Sequence, residues 1–214
     1  MEANKISLKT FAASIASILF IEALFRLIPA GNTLNPMAIL AVVRSLEAVL
    51  LVSIAILLEK DPGRIGLTPA RIPEGFKKGF IWSAGFGIIV GIVYLVLLAA
   101  GINALHIFIA PLHTSRQQLF IFFLVGGVIG PIAEEIFFRG IVYGFFRQWG
   151  IPLAVISSTL LFVFIHPYGK NLPVAQTVGG IVFAVAYEKE KSLFVPITIH
   201  SLGNLAIFSL AILG

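Results

Sequence analysis

The sequence predicts an all-α, polytopic membrane protein, a bundle of about seven transmembrane helices around a polar intramembrane cavity. Three observations predict it. The chain is 58% hydrophobic and only 12% charged, where a soluble globular protein carries about 25% charged residues. Mean hydropathy is +1.02. The apolar residues fall in long runs, whereas a transmembrane barrel would show short segments of alternating polarity. Long apolar runs in lipid must be helices, because a helix satisfies its own backbone hydrogen bonds.

A span needs about 20 mostly apolar residues, and the runs are read in order. Lys5 and Lys9 precede an apolar stretch from Phe11 to Ile21, as in a signal peptide, but no small-residue cleavage site follows. We therefore expect a retained first span over Leu8–Ile28, followed by Met37–Leu58. Each carries a charged pair at helical spacing, Glu22 with Arg26 and Arg44 with Glu47, read as ion pairs that ease burial. The segment Glu59–Gly79 holds Pro62, Pro69 and Pro73 among basic residues and reads as a surface connection. A third span covers Phe80–Ala100. The connection Gly101–Arg116 contains His106 and His113, both expected to be solvated. A fourth span begins near Gln117 and continues past Pro131 to about Arg147. Shorter spans, Ile151–His166 and Leu172–Tyr187, come next, and Leu193–Leu213 is the seventh.

The basic residues gather at alternate ends of these spans, which by the positive-inside rule puts the N-terminus in the cytoplasm and the C-terminus outside. The net charge of +5 is thereby a mark of membrane orientation, and no nucleic-acid partner is expected. The chain has no cysteine, which excludes disulfides, thiolate metal sites and a cysteine nucleophile.

Against this background, the run Phe123–Gly140 contains Glu134, Glu135 and Arg139. A charge near the bilayer centre costs roughly 2.5–3.5 kcal/mol on insertion scales, so intramembrane charges point to function by default. Residues four apart on a helix share a face, whereas neighbours point about 100° apart. Glu135 can thus pair with Arg139, while Glu134 faces elsewhere and needs another partner or a water. His166 closes the fifth span, and His200 and Asn204 lie four apart on the seventh. A glutamate, two histidines and an asparagine from three spans suggest one polar cavity. A carboxylate and an imidazole can hold a water and take its proton. An imidazole N–H and an amide can stabilise an oxyanion. Together these make a hydrolase for an acyl bond.

Other chemistries fit the same residues. Glu134, His166 and His200 could supply three zinc ligands, although no His-Glu-x-x-His motif is present. Intramembrane Glu and His also mark proton paths in transporters, though no internal repeat is visible. A non-catalytic peptide-binding or bacteriocin-immunity protein is a further alternative. Counting at about 1.5 Å per residue places Glu134 and His166 at similar depths but leaves His200 shallower.

The motifs Glu134-Glu135-x-x-x-Arg139, Phe162-x-x-x-His166 and His200-x-x-x-Asn204 resemble, in order, those of the CAAX protease and bacteriocin-processing (CPBP or Abi) family. That family of intramembrane glutamic endopeptidases includes the CAAX prenyl endopeptidases. The resemblance covers roughly Arg116 to Leu210. It implies a catalytic helical core over 116–214, with 1–115 as N-terminal helices and loops of the same membrane domain. It also implies a helical bundle with a water-accessible cavity. Glu134 and His166 would activate water, His200 and Asn204 would form the oxyanion hole, and Glu135 and Arg139 would support them. No cofactor or metal is expected. The implied partners are the bilayer and a peptide or protein substrate, prenylated or otherwise membrane-associated. A microbial plasma membrane is the expected location.

Overall fold

The computed structural model describes residues 5–27, 35–103, 116–166 and 173–213. Among these the chain is helical, with no strand. Seven rods correspond to the seven expected spans. They are α1 (Leu8–Arg26), α2 (Pro36–Glu59), α3 (Ile72–Ala99), α4 (116–149), α5 (Ile151–Ile165), α6 (Val174–Glu190) and α7 (Phe194–Leu213). Five of them, all but α5 and α6, are long and apolar enough to cross a membrane. The outer face of α3 is apolar and exposed, as a lipid-facing surface must be: Ile88, Ile89, Leu95 and Val96 are all more than half exposed.

Local chemistry sets the helix ends. Ser7 caps α1 through the Thr10 N–H, and Asn35 caps α2 through the Met37 N–H, with Pro36 in the first turn where its missing donor does no harm. α2 stops at Lys60 and α6 at Lys191, both left-handed. Gly150, with φ +114°, makes the turn into α5; this conformation is open to glycine and strained for other residues. Ser7 N–H and Thr10 Oγ1 both donate to Glu59, which ties the start of α1 to the end of α2.

Two expectations change. First, α3 begins eight residues before Phe80, so Lys77 and Lys78 lie on the helix and not in a loop. Lys78 reaches Glu190 at 2.7 Å, carrying its charge on a long apolar stem. Second, the connection before α3 is only partly surface. It forms two 3-10 turns, Pro62–Ile65 and Pro69–Arg71, and Ile65 is fully buried.

That buried turn explains the depth of His200. Leu193 is fully buried, and its N–H donates to the Gly66 carbonyl. α7 therefore starts inside the protein, under the Pro62–Ile65 turn. Leu193 and Ile65 pack directly on Gly140. From Gly140 to Glu134 is six residues, and from Leu193 to His200 seven, so Glu134 and His200 reach one level. Of the expected connection Gly101–Arg116, residues 104–115, His106 and His113 included, lie outside the described residues.

Candidate active site

The helix that carries the two glutamates is not a uniform α-helix. Two π-helical stretches, Val125–Ile129 and Ile136–Tyr143, flank the α-helical segment Gly130–Glu135. Pro131 supplies one reason. It has no N–H, and a proline inside a regular helix clashes with the carbonyl four residues back. The widened turn relieves that clash, and the Gly130 N–H bonds to the Val125 carbonyl. With Gly130 so engaged and Pro131 lacking a donor, the Gly126 carbonyl is open to another partner. Asn204 fills it: its Nδ2 donates to Gly126 O at 2.8 Å. Gly126 and Gly127 allow this approach, because a Cβ at either position would lie within 3 Å of Phe208 or Leu205 on α7.

Glu135 and Arg139 form a closed buried pair. Both are fully buried, and Arg139 Nη1 donates to Glu135 Oε1 at 2.9 Å. Arg139 Nη2 donates to the Gly180 carbonyl of α6 at 3.1 Å. The guanidinium lies among three rings, with centroids 5.8 Å away in Phe138, 4.8 Å in Phe162 and 5.2 Å in Phe183. A desolvated cation on aromatic faces gains about 2 kcal/mol. The same Glu135 oxygen also faces His200 Nδ1 at 2.9 Å. This link was not legible in the sequence, where Glu135 is paired with Arg139 alone. Phe183, which stacks on His200 at 4.8 Å, was also missed, because its neighbours come from other helices and no local spacing marks it.

Glu134 faces a different direction. Its Oε2 lies 3.5 Å from His166 Nε2 and 3.7 Å from His200 Nε2. The Glu134 and His166 side chains remain 19% and 25% exposed, whereas Glu135 is 0% exposed, so water reaches the first glutamate and not the second. His166 precedes Pro167, which disfavours a helical residue before it. The helix accordingly ends at Ile165 with His166 extended. Its ring turns back, and Nδ1 meets the Phe162 carbonyl at 2.7 Å. A carbonyl only accepts, so Nδ1 carries the hydrogen. In the neutral ring, Nε2 then presents a lone pair to Glu134. By the same reasoning His200, with Nδ1 on the Glu135 carboxylate, presents Nε2 to the same oxygen. Three acceptors thus converge at distances too long for direct bonds, which suits a shared water or proton.

The structure therefore brings Glu134, Glu135, Arg139, His166 and His200 into one cluster, with Asn204 one turn beyond His200 on Gly126. Among the described residues, no group of three or more His, Asp or Glu side chains has a metal-holding arrangement. In the first two spans, Arg44 bonds Glu47 and also reaches Glu22 across the hairpin at 3.4 Å, where the sequence suggested Glu22 with Arg26.

Comparison with known proteins locates the resemblance. A family model described as type II CAAX prenyl endopeptidase Rce1-like matches residues 116–206. The chain is 33% identical over 89 residues to the "Putative membrane peptidase YdiL" of Bacillus subtilis (strain 168), covering 41% of this chain and 36% of that protein. It is 37% identical over 96 residues to the "Membrane-embedded CAAX protease MroQ" of Staphylococcus aureus (strain USA300), covering 42% of this chain and 38% of that protein. The chain thus aligns with little more than a third of the length of each relative. No solved structure matches. Residues 116–206, which carry α4 to α6, the larger part of α7 and all three motifs, are thus similar to the Rce1-like family of type II CAAX prenyl endopeptidases.

Proposed function

We propose that this protein is a membrane-embedded endopeptidase that hydrolyses a peptide bond with a water activated by Glu134. The carrying observation is the Glu134 carboxylate facing two imidazole nitrogens at 3.5 and 3.7 Å in the partly water-accessible part of the cluster. A water between Glu134 and His166 donates one hydrogen to each, and its oxygen is left to attack a carbonyl carbon. Glu134 takes the proton as general base. The negative charge that forms on the carbonyl oxygen is met by His200 Nε2–H and the second N–H of the Asn204 amide. His200, whose Nδ1 hydrogen is on Glu135, donates there as an imidazolium that has taken a proton from solvent onto Nε2 before the attack and keeps it through the step. Glu135 and Arg139 support the site by holding His200 in place. The proton then passes to the leaving amine.

The substrate is a peptide that enters from the bilayer. The description of the matching family supports prenylated peptides as the first class to try. The test is cleavage by purified protein in lipid, using matched prenylated and unprenylated peptides. Glu134→Gln and His166→Ala should lose turnover by roughly 100-fold or more while remaining folded. Wild-type turnover in Glu134→Gln would end this reading.

A further inference from the structure

The start of α3 stands outside the apolar layer that its later turns cross. The helix has 28 residues, about 42 Å at 1.5 Å per residue, against a hydrocarbon core of about 30 Å. Its charged residues, Glu74, Lys77 and Lys78, all lie in the first two turns, so the excess length falls at that end, among the headgroups. Trp82 follows one turn later, at the depth where an indole marks the edge of a bilayer. Its Nε1 donates to Glu190 of α6 at 3.1 Å. Phe76 and Phe80, which share a face of the same turns, are exposed, so lipid-facing surface begins beside the polar end.

A cavity of about 80 Å³ opens there, lined by Arg71, Glu74, Gly75 and Lys78 at the start of α3 and by Glu190 and Ser192 between α6 and α7. Its volume is more than twice one water's share of about 30 Å³. Gly75 brings α7 close: a Cβ on it would lie 2.7 Å from Phe194 Cβ and 2.8 Å from Ser192 Oγ. Ser192 is 3% exposed, and its Oγ has no hydrogen-bond partner among the described residues. A buried hydroxyl without a partner is costly, and this one stands in a cavity wall. The charges beside it divide by sign. Lys78 is held by Glu190 at 2.7 Å, whereas the Arg71 side chain has no partner among the described residues. Glu74 is 3.6 Å from Lys78, longer than a hydrogen bond, and more than half exposed. α3 has no side-chain cap, and α7 begins two residues after Ser192, so the positive ends of two helices border the cavity.

We propose that this cavity binds the phosphoethanolamine headgroup of a membrane phospholipid. The phosphate accepts hydrogen bonds from Arg71 and Ser192 at the two helix ends, and the ammonium pairs with Glu74. The acyl chains run along Phe76 and Phe80 into the bilayer. Nothing in this site depends on the peptidase reading. Its rival is Ser192 as a plain N-cap of α7, a position where serine is favoured, beside a cavity that holds only water.

Thermal unfolding in a maltoside detergent, which carries no phosphate, separates the two. Wild type, Ser192→Ala, Arg71→Gln and Glu74→Gln are melted alone and with added phosphatidylethanolamine, phosphatidylglycerol or inorganic phosphate. Phosphatidylethanolamine at about 100 times its dissociation constant should raise the wild-type midpoint by roughly 5–10 °C. Ser192→Ala loses only an unpaired group, so without lipid it should melt no lower than wild type, and its rise with lipid should be much smaller. Arg71→Gln, a change at an exposed position, should also blunt the rise. Glu74→Gln should respond alike to the two lipids, because phosphatidylglycerol has no ammonium. A Ser192→Ala protein that melts clearly below wild type in lipid-free detergent overturns the proposal in favour of the cap. An equal rise in wild type, Ser192→Ala and Arg71→Gln overturns it too, as does no rise in wild type. Inorganic phosphate as effective as the lipid overturns the headgroup assignment, and phosphatidylglycerol as effective as phosphatidylethanolamine on wild type overturns the pairing with Glu74.

Discussion

Replacing Arg139 with glutamine leaves Glu135 as a carboxylate at 0% exposure whose second oxygen is already without a partner. Breaking a buried ion pair by removing one member costs about 3–5 kcal/mol, because the remaining charge is uncompensated. The same change removes the hydrogen bond to Gly180 and the cation from its three rings. A domain's whole stability is about 5–15 kcal/mol, so the loss is about a fifth of it or more. At about 2–4 °C per kcal/mol for a chain of this size, the midpoint should fall by roughly 6–20 °C. Thermal unfolding of the purified protein in detergent, followed by circular dichroism, measures it. Arg139→Lys should lie between the two, since lysine is a point charge without the planar fork that spans Glu135 and Gly180 together. An Arg139→Gln protein within about 0.5 kcal/mol of wild type, the effect of an ordinary surface substitution, would refute the buried-pair account.

Glu135→Gln should reduce both stability and turnover, because its oxygen serves Arg139 and His200 at once; a variant of wild-type stability without activity would contradict its supporting role. Gly79→Ala should destabilise by about 1–3 kcal/mol through overpacking, since a Cβ there lies 2.5 Å from Thr198. Gly87→Ala, with nothing within 4 Å, should be neutral or stabilising by up to about 1 kcal/mol, and parallel melts of the two variants compare them. Peptide cleavage should persist after exhaustive chelation and dialysis, with metal analysis of the active sample as the check; activity restored only by added zinc would favour the metal-ligand reading of Glu134, His166 and His200.

The sequence by itself determined the class of the fold and singled out the polar residues that could form a site. Hydropathy is additive along a chain, so apolar runs mark helices in lipid without knowledge of their packing. Helical spacing separated Glu134 from Glu135, because that relation is local to one turn. The tertiary structure decided the rest. Whether His200 reaches the level of Glu134 depended on Leu193 being buried beneath a turn more than 100 residues away in sequence. Asn204 finds its partner because a proline and a π-helical turn open the Gly126 carbonyl, a departure from 1.5 Å per residue that no uniform helix count contains. Arg44 has neighbours from α1 as well as from its own helix. Local periodicity shows which residues share a face, but only packing shows which faces meet, because contacts between helices depend on side-chain volume, helix ends and the positions where small residues permit close approach.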